Sequence, residues 1–259
     1  MKLVKELHYR LIENRLEGFF SNVMVILYAL NSIKSEGLSI KNISVLWHNS
    51  LYQDNEENLY DKYLFANNNL GNNFIDINAI DLYPFPGPFL NLEIRNQLNT
   101  ILHENYYTNN PYYKKNFLEN IVKNTFVLGV QIRRTDHFLH GNFINLSCII
   151  QLIQKELLNF EYEHIFIATD DVRCLTELLL IFKDKIIFNQ GIARSTSDVP
   201  IHRANFVDKD KLANDVLKDA ISLSKCTKIL ITSSNISSFA LCLNKELKYE
   251  YMDRHIEYR

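Results

Sequence analysis

Two adjacent arginines, Arg133 and Arg134, follow an apolar run in the stretch VLGVQIRRTDHF. Charges are costly inside a protein, so the pair should lie at the end of a buried strand and not within it. A guanidinium donates two parallel hydrogen bonds to phosphate oxygens and stays charged at any relevant pH, which suits a phosphate-rich ligand. Adjacent strand residues point in opposite directions, so we expect one arginine to face a ligand and the other to pair with Asp136, Asp170 or Asp171.

Two more polar clusters follow apolar runs further along the chain. IFIATDD ends in Thr169, Asp170 and Asp171, and KILITSSN ends in a cluster of hydroxyl and amide side chains. That second cluster opens a predicted helix, whose hydroxyls and free backbone N–H groups make a ready anion site. A purely structural network of arginines and acids is the alternative interpretation. The hydroxyl and amide cluster at the end of KILITSSN consists of Thr232, Ser233, Ser234 and Asn235.

The elements that would position these clusters alternate regularly between strand and helix. Such alternation predicts an α/β fold whose parallel sheet has right-handed crossovers and helices on both faces. Ligands of such sheets bind beyond the carboxyl ends of the strands, so the three clusters should converge at the mouth of one cleft. The predicted strands are residues 125–132, 164–169, 185–189, 228–232 and 248–252, and the predicted helices are residues 146–158, 172–182, 208–224 and 236–243.

The first part of the chain predicts a smaller mixed layer. Gly18 breaks the chain, and Ser21 is placed to cap a helix that runs to about residue 35. The Asn-rich residues 52–74 read as an exposed loop, and YPFPGPF (residues 83–89) as a rigid turn in a lid or hinge region. We expect a trimmed N-terminal domain at residues 1–115 and a C-terminal domain at residues 116–259. The other predicted elements are strands at residues 6–12 and 43–48 and helices at residues 91–107 and 112–123.

The composition excludes several classes of protein. The chain has 259 residues and a net charge of −2, which argues against a binder of nucleic acid or anionic membrane over its whole surface. The first residues are charged throughout and lack the apolar core of a secretory signal, and the longest apolar stretch, FFSNVMVILYAL, is too short to span a bilayer. Four cysteines without a C-x-x-C pair indicate reduced, mostly buried thiols.

The loop NQGIARSTSDVPIHRANF (residues 189–206) is long and polar, and such loops at this edge of a sheet usually carry function or are mobile. His202 and Arg203 are candidate ligand contacts in it, with a merely solvated loop as the alternative. The sequence contains no Walker or G-x-G-x-x-G loop, so arginine and a helix N-terminus would hold the phosphate. No metal is expected, because the adjacent acids Asp170 and Asp171 should diverge at a strand end.

The three clusters together resemble the α1,2-, α1,6- and protein O-fucosyltransferase superfamily. GVQIRRTDHF resembles the first motif of that superfamily, close to G-V-H-x-R-R-x-D, and IFIATDD resembles the second motif of the α1,6 branch. LKDAISLSKCTKILITSSN is similar to the third, in which an Asp on a helix precedes a strand that ends in a Ser-rich turn. RLEGFFSNVMVILYAL is similar to the first glycine turn and helix. Order and spacing agree over about residues 126–244.

The resemblance implies a GT-B fold of two Rossmann-type domains, with GDP-fucose held mainly by the C-terminal domain. It also implies an inverting transfer that needs no metal. Arg133 would contact the donor β-phosphate and stabilise the departing GDP. The remaining implied roles are support of the motif by Arg134 and Asp136, ordering of the site by Asp170 or Asp171, recognition of the guanine by Asp219, and phosphate or ribose binding by Ser233 and Ser234.

The sequence departs from the motif at two points. Gln131 replaces the usual His two residues before the first arginine, and it can donate a hydrogen bond but cannot carry a charge. Gly141 stands near the position where the α1,6 branch has a candidate catalytic glutamate. His137 and His140 are candidate substitutes as base, since imidazole titrates near neutral pH. The reaction can also proceed without a strong base if the ring cation forms early.

The sequence therefore predicts a cytosolic fucosyltransferase of a bacterium or virus, with peripheral membrane association as an option, that acts on a glycan or polysaccharide precursor. The acceptor would bind near YPFPGPF, the aromatic-rich N-terminal loops and Trp47. Three alternatives stay open: another nucleotide-sugar donor on the same fold, a non-catalytic nucleotide- or glycan-binding module, and a purely structural α/β protein.

Overall fold

The computed structural model divides the chain into two compact units, Met1–Lys115 and Asn116–Arg259. Each unit is an α/β layer built on a parallel sheet. The structure describes residues 9–13, 18–37, 43–47, 53–54, 57–58, 75–82, 91–103, 125–135, 144–201 and 208–252.

The first unit contains a three-stranded parallel sheet. Strand β1 (Tyr9–Glu13) is central, with β2 (Ile43–Trp47) on one side and β5 (Ile75–Asn78) on the other. Helix α1 (Phe19–Ser35) is buried along most of its length, as expected for a helix that is apolar on nearly all sides. A short 3-10 helix (Ala79–Leu82) follows β5.

Helix α2 (Leu92–Ile101) packs near α1 in the same unit, where Asn31 Nδ2 donates to Gln97 Oε1 at 2.8 Å. The side chain of Asn91 caps α2 by accepting the N–H of Ile94 at 2.8 Å. The predicted helix over residues 91–107 is therefore present, and its described part ends as a regular α-helix at Ile101. The predicted helix over residues 112–123 lies outside the described residues, as does YPFPGPF.

Two expectations for the first unit are wrong. Gly18, and not Ser21, is the N-cap of α1, and no side chain caps it; the N–H of Ser21 instead donates to the Gly18 carbonyl at 2.9 Å. The stretch expected to be a plain loop holds an antiparallel pair of two-residue strands, β3 (Gln53–Asp54) and β4 (Glu57–Asn58). Strand β5 directly after it was not predicted, because IDIN alternates over only four residues.

The second unit contains a five-stranded sheet in the order β10-β9-β6-β7-β8, all parallel. The predicted alternation of strands and helices is confirmed, with most ends within two residues; only β8 is much shorter than expected, at two residues. Its strands are β6 (Val127–Ile132), β7 (His164–Thr169), β8 (Ile186–Ile187), β9 (Lys228–Ile231) and β10 (Lys248–Tyr251), and its helices are α3 (Leu146–Asn159), α4 (Val172–Phe182), α5 (Lys209–Lys225) and α6 (Asn235–Leu243).

The strand order reverses direction at β6. From β6 the chain runs through α3, β7, α4 and β8 to one side, and then returns to β9 and β10 on the other side. Because parallel crossovers are right-handed, this order puts α3 and α4 on one face of the sheet and α5 and α6 on the opposite face. One core cluster joins Val130 and Ile132 of β6 to Ile149 of α3 and Leu178 of α4, in agreement with that assignment.

At Gly129, two side chains pack closely against β6 on the other face. A Cβ at this position would lie 2.7 Å from Cγ2 of Ile229 and 2.9 Å from Sγ of Cys226, closer than real Cβ atoms come. Cys226 and Ile229 are both buried, so neither has open space to move into. Glycine at this position therefore lets the side chains of Cys226 and Ile229 pack directly against the backbone of β6.

Candidate functional site

The three polar clusters follow three neighbouring strands. Strand β6 lies between β9 and β7, so the ends that carry the arginines, the acids and the hydroxyls are adjacent. Thr232 joins two of them, since its hydroxyl accepts the N–H of Arg133 at 3.2 Å and donates to Oε1 of Gln131 at 2.7 Å. The predicted convergence of the clusters at one edge is therefore present in the structure.

This edge is also the topological switch point of the sheet. The chain leaves β6 towards β7 on one side, and β9 occupies the other side. At such a point the connections leave in opposite directions and open a crevice beyond the strand ends, where open α/β sheets bind their ligands. Arg133 directly follows β6 and the N-terminus of α6 follows β9, so both lie at this edge of the sheet.

Asp170 fixes the turn that follows β6. Its carboxylate accepts the N–H of Arg134 at 3.0 Å, the N–H of Thr135 at 3.4 Å and the hydroxyl of Thr135 at 2.6 Å. Nε of Arg133 lies 3.5 Å from the same carboxylate. Asp170 thus binds the backbone on both sides of Arg134 and pairs with Arg133, which orients the turn bearing both arginines.

The two arginines pair with different acids, both of which directly follow β7. Arg134 continues the alternation of Val130 and Ile132 towards α3 and α4, and its Nε lies 3.8 Å from the carboxylate of Asp171. Arg133 continues the opposite series. The expected pairing of one arginine with Asp170 or Asp171 is therefore present, as Arg134 with Asp171, and Arg133 also lies near an acid, Asp170.

Asp171 is 1% exposed and caps α4. Its carboxylate accepts the backbone N–H of Arg173 at 2.8 Å and the Arg173 guanidinium at 3.0 and 2.8 Å. Burial acts to raise the pKa of Asp171, but the hydrogen bonds from Arg173 and the charges of Arg173 and Arg134 outweigh it, and the pKa lies below its ordinary value. Asp171 is therefore a buried carboxylate that carries its charge at neutral pH.

Gln131 is buried within the sheet, at 3% exposure. Its Oε1 accepts the hydroxyls of Thr232 at 2.7 Å and Ser237 at 2.8 Å, which ties β6 to the end of β9 and to α6. A contact between Gln131 and the donor stays a prediction, and the side-chain oxygen is already occupied by these two bonds.

The N-terminus of α6 has the expected hydroxyl character. Ser234 is its N-cap and accepts the N–H of Ser237 at 3.4 Å, and Asn235 is its first residue. Ser233 lies directly before the cap, on the connection from β9. The first backbone N–H groups of this helix thus lie next to Thr232 and the Arg133 turn, where they can bind an anion.

Asp219 lies on α5 and belongs to none of the three strand-end clusters. It is buried, and its Oδ1 accepts a hydrogen bond from Nδ2 of Asn189 at 2.8 Å at the end of the β8 segment. Burial raises the pKa of Asp219 to about 7, against the hydrogen bond from Asn189 and the charge of Arg194, while Asp215 acts in the same direction as burial. The predicted role of Asp219 in reading a guanine stays a prediction.

Five predicted site residues lie outside the described part of the chain. They are Asp136, His137 and His140 after β6, and His202 and Arg203 before α5. The side chain of Trp47 lies outside it as well.

The structure adds residues that sequence reasoning missed. Thr135 and Ser237 contribute hydroxyls to the cluster, and Arg173 binds Asp171. Thr135 is part of the R-R-T-D motif, and Arg173 stands two residues after Asp171, so both could be noticed in the sequence. Ser237 has no signal of its own, because the first turn of α6 brings its hydroxyl within hydrogen-bond distance of Gln131. Asn189 and Arg194 were noted only as part of a polar loop.

Within the described ranges, no group of three or more His, Cys, Asp and Glu side chains is arranged to hold a metal ion. Nor does any helix in those ranges combine the length and apolar character needed to cross a membrane. Of the four cysteines, all free, Cys148 is exposed and the other three are buried.

Comparison with known proteins gives matches at the level of three-dimensional structure. No family model matches the sequence, and no curated protein matches it. The fold matches the fucosyltransferase NodZ from Bradyrhizobium with a TM-score of 0.56 and 14% identity, over 92% of each chain. The NodZ α1,6-fucosyltransferase co-crystallised with GDP gives a TM-score of 0.54 and 15% identity, over 92% of this chain and 93% of that chain.

A second protein with this fold is POFUT1, whose structure was solved in complex with GDP. It matches with a TM-score of 0.55 and 8% identity, over 96% of this chain and 99% of that chain. Identities this low establish the fold alone. With parallel sheets flanked by helices in both units, the chain has the GT-B fold of the fucosyltransferases, and its resemblance to that superfamily is confirmed at this level.

Proposed function

We propose that the chain is an inverting glycosyltransferase that transfers fucose from GDP-fucose to a glycan or polysaccharide precursor without a metal ion. One observation carries the proposal. Arg133, the Asp170-bound turn and the N-terminus of α6 meet at the switch point of a parallel sheet whose fold is that of GDP- and GDP-fucose-bound fucosyltransferase structures.

The chemistry of the transfer fits this arrangement. The oxygen of an acceptor hydroxyl attacks the anomeric carbon of fucose from the face opposite the phosphate, and the bond from that carbon to the phosphate oxygen breaks. The leaving GDP takes the electron pair, and the hydroxyl proton passes to a base or to water. Negative charge therefore grows on the diphosphate, where a fixed cation lowers the barrier most.

Arg133 is the residue proposed to supply that cation. The backbone bonds to Thr232 and the Asp170 pair hold it at the sheet edge, so little reorganisation is needed when the charge develops. The N-terminal N–H groups and hydroxyls of α6 would bind other oxygens of the same diphosphate, with Ser233 and Ser234 nearest the strand end. Arg134, held by Asp171, would keep the turn in place.

Asp219 is proposed to receive the nucleobase. Its carboxylate lies on α5 and belongs to none of the strand-end clusters that would bind the diphosphate. A carboxylate pairs with a base edge that presents two neighbouring N–H donors, as guanine does. His137 and His140 remain the candidates for the base that accepts the hydroxyl proton, and His202 and Arg203 the candidates for further donor contacts.

A different donor on the same fold is the second candidate, and Gln131 motivates it. The position that carries His in the superfamily motif is here a neutral side chain whose oxygen is bound to Thr232 and Ser237. A charged contact at that point is therefore absent, so the preference among nucleotide sugars can differ from that of the superfamily.

Nucleotide binding tests both candidates. Thermal shift and calorimetry with GDP, UDP, dTDP and ADP, each with and without Mg²⁺, should show selective binding of GDP that Mg²⁺ does not change. A clear preference for another nucleotide would transfer the proposal to that donor. Failure to bind any of the four would contradict a glycosyltransferase role, and binding of GDP without hydrolysis or transfer of GDP-fucose would favour a non-catalytic binding module.

A further inference from the structure

The segment that leaves β8 connects the two halves of the candidate site. We call residues 189–199 the β8–α5 loop. At its start, Asn189 donates to Asp219, the residue proposed to receive the nucleobase. Further along, Ser195 lies beside Asp171 as a parallel bridge, next to the acids that orient the arginines.

The first part of the loop is held against α5. The N–H of Ala193 donates to Asp215 at 3.1 Å, and Nζ of Lys211 contacts both Asp215 and the carbonyl of Gly191. The guanidinium of Arg194 donates to the carbonyls of Asn189 and Ile192, each at 3.3 Å, and lies 5.4 Å from the centre of the Phe188 ring. These contacts set the loop close to Asp219.

The second part of the loop is held against the end of β7. The N–H of Ser195 donates to the carbonyl of Asp170 at 2.8 Å, and the N–H of Val172 donates to the carbonyl of Ser195 at 3.0 Å. The hydroxyl of Ser195 bonds inside the loop, to the carbonyl of Val199 at 2.7 Å. The loop thus lies as an extra strand segment beside the two acids.

Arg173 closes this second attachment. Its guanidinium binds the buried carboxylate of Asp171 through Nε and Nη2, and Nη2 also donates to Asp198 in the loop at 2.6 Å. Asp198 is 80% exposed, and an ion pair with so exposed a partner contributes little when both side chains are free to move. Here the two bonds to Asp171 already fix the guanidinium, so the bond to Asp198 requires little further ordering.

We propose that Arg173 is a positioning residue for the nucleotide, an inference that rests on the proposed function. By joining Asp171 to Asp198 it holds the β8–α5 loop beside the strand ends, so that Asn189 at the loop start keeps Asp219 oriented for the nucleobase. Arg173 itself touches neither the base nor the diphosphate. Its loss should therefore weaken recognition of the base more than recognition of the phosphates.

Two variants separate the contacts. Asp198→Asn removes only the loop side and leaves the pair between Arg173 and Asp171 intact, while Arg173→Gln removes both. Calorimetry with GDP should show affinity lower by about threefold for Asp198→Asn and by about tenfold for Arg173→Gln. Pyrophosphate, which has no base, should bind both variants within about twofold of the wild type. Glu177→Gln, an exposed change on the same helix, is the matched control and should change neither affinity.

Amide hydrogen exchange reads the loop without any ligand. In the Asp198→Asn and Arg173→Gln proteins the amides of Ala193 and Ser195 should exchange faster, and those of β6 should not. Unchanged GDP affinity in both variants would overturn the proposal, as would an equal loss of GDP and pyrophosphate affinity. If the wild type binds no GDP, the proposed function fails. Hydrogen exchange then tests the attachment of the loop by Arg173 separately. Faster exchange in the two variants would support that attachment, and unchanged exchange would overturn it.

Discussion

Nε of Arg133 lies 3.5 Å from the carboxylate of Asp170, and the same carboxylate accepts the N–H groups of the two residues that follow Arg133. Asp170 therefore orients the side chain and the backbone of the turn together. A ligand anion at the switch point would share Arg133 with Asp170. The arginine stays charged in either case, because a guanidinium does not lose its proton in a protein.

Arg133→Ala should lower turnover by about a hundred- to a thousandfold with the fold intact, since removal of one fixed donor to a developing charge typically costs that much. The measurement is kcat with GDP-fucose once an acceptor is known, with circular dichroism as the check on folding. Lys155→Ala, an exposed charge on α3, serves as the control. Turnover near that of the wild type would remove Arg133 from the mechanism.

Asp170→Asn should loosen the turn after β6. The new amide nitrogen cannot accept the bonds that Thr135 now gives to Oδ2, so the variant should lose about 1–3 kcal/mol of unfolding free energy. Urea unfolding measures that loss. A matched Asp184→Asn change, at an exposed acid of the same unit, should alter stability by less than about 0.5 kcal/mol. Equal stabilities of the two variants would show that Asp170 does not hold the turn.

Gln131→Leu should destabilise the second unit by about 1–3 kcal/mol, because the buried hydroxyls of Thr232 and Ser237 lose their shared acceptor. The same change made in a Ser237→Ala background should cost less, since one of those hydroxyls is then absent. Chemical denaturation of the four proteins gives the coupling. Strictly additive costs would mean that the two side chains act independently.

Gly129→Ala should be among the most damaging conservative changes in the chain. The added methyl would stand 2.7 Å from Ile229 Cγ2 inside a packed core, and overpacking of this kind costs about 1–3 kcal/mol. Gly18→Ala is the control, because nothing lies within 4 Å of a Cβ there. Thermal melts compare the two, and a Gly129→Ala protein as stable as the control would show that the side chains of Ile229 and Cys226 can make room for the methyl group.

The stability of the Asp219→Asn variant relative to the wild type should increase as pH rises. The pKa of Asp219 is raised to about 7 from the ordinary 3.8, so the folded state favours the protonated acid. The stability that the wild type gains from protonated Asp219 is complete below about pH 4, falls as pH rises, and is lost above about pH 7. The melting temperature of the variant minus that of the wild type should therefore increase between pH 5 and pH 8. A difference that does not change with pH would contradict a raised pKa.

The second unit could be predicted from sequence because local and global signals agree there. HIFIAT and the helix after it were predicted at their observed ends, since a continuous apolar run is followed by Asp171, which caps that helix. The polar ends of β6, β7 and β9 could be expected at one edge from the parallel alternation alone. Their adjacency, with β6 between the other two, could not, because strand order depends on which side of β6 the chain returns to.

Other features depend on contacts that one sequence does not reveal. Ser21 has the residue type of a helix cap, yet Gly18 caps α1, because packing of Phe19 and Phe20 into the core begins the helix earlier. The sequence could not predict that Arg134 pairs with Asp171 and Arg133 with Asp170. These pairs depend on how sharply the chain turns after β6. The same holds for Gln131, whose bonds to Thr232 and Ser237 depend on β9 and α6 lying beside β6.

The position of β6 between β7 and β9 has a consequence for how the protein is made. Leu128 pairs with Lys228, so the ribosome must add about a hundred residues after β6 before its second edge can be covered. Until then β6 can pair with β7 alone, and its other edge, apolar and ending in two arginines, is open to strands of other chains. Synthesis of β9 completes the sheet edge that carries the three polar clusters and removes that aggregation risk, so a nascent chain in which β9 does not pair would leave β6 open to aggregation.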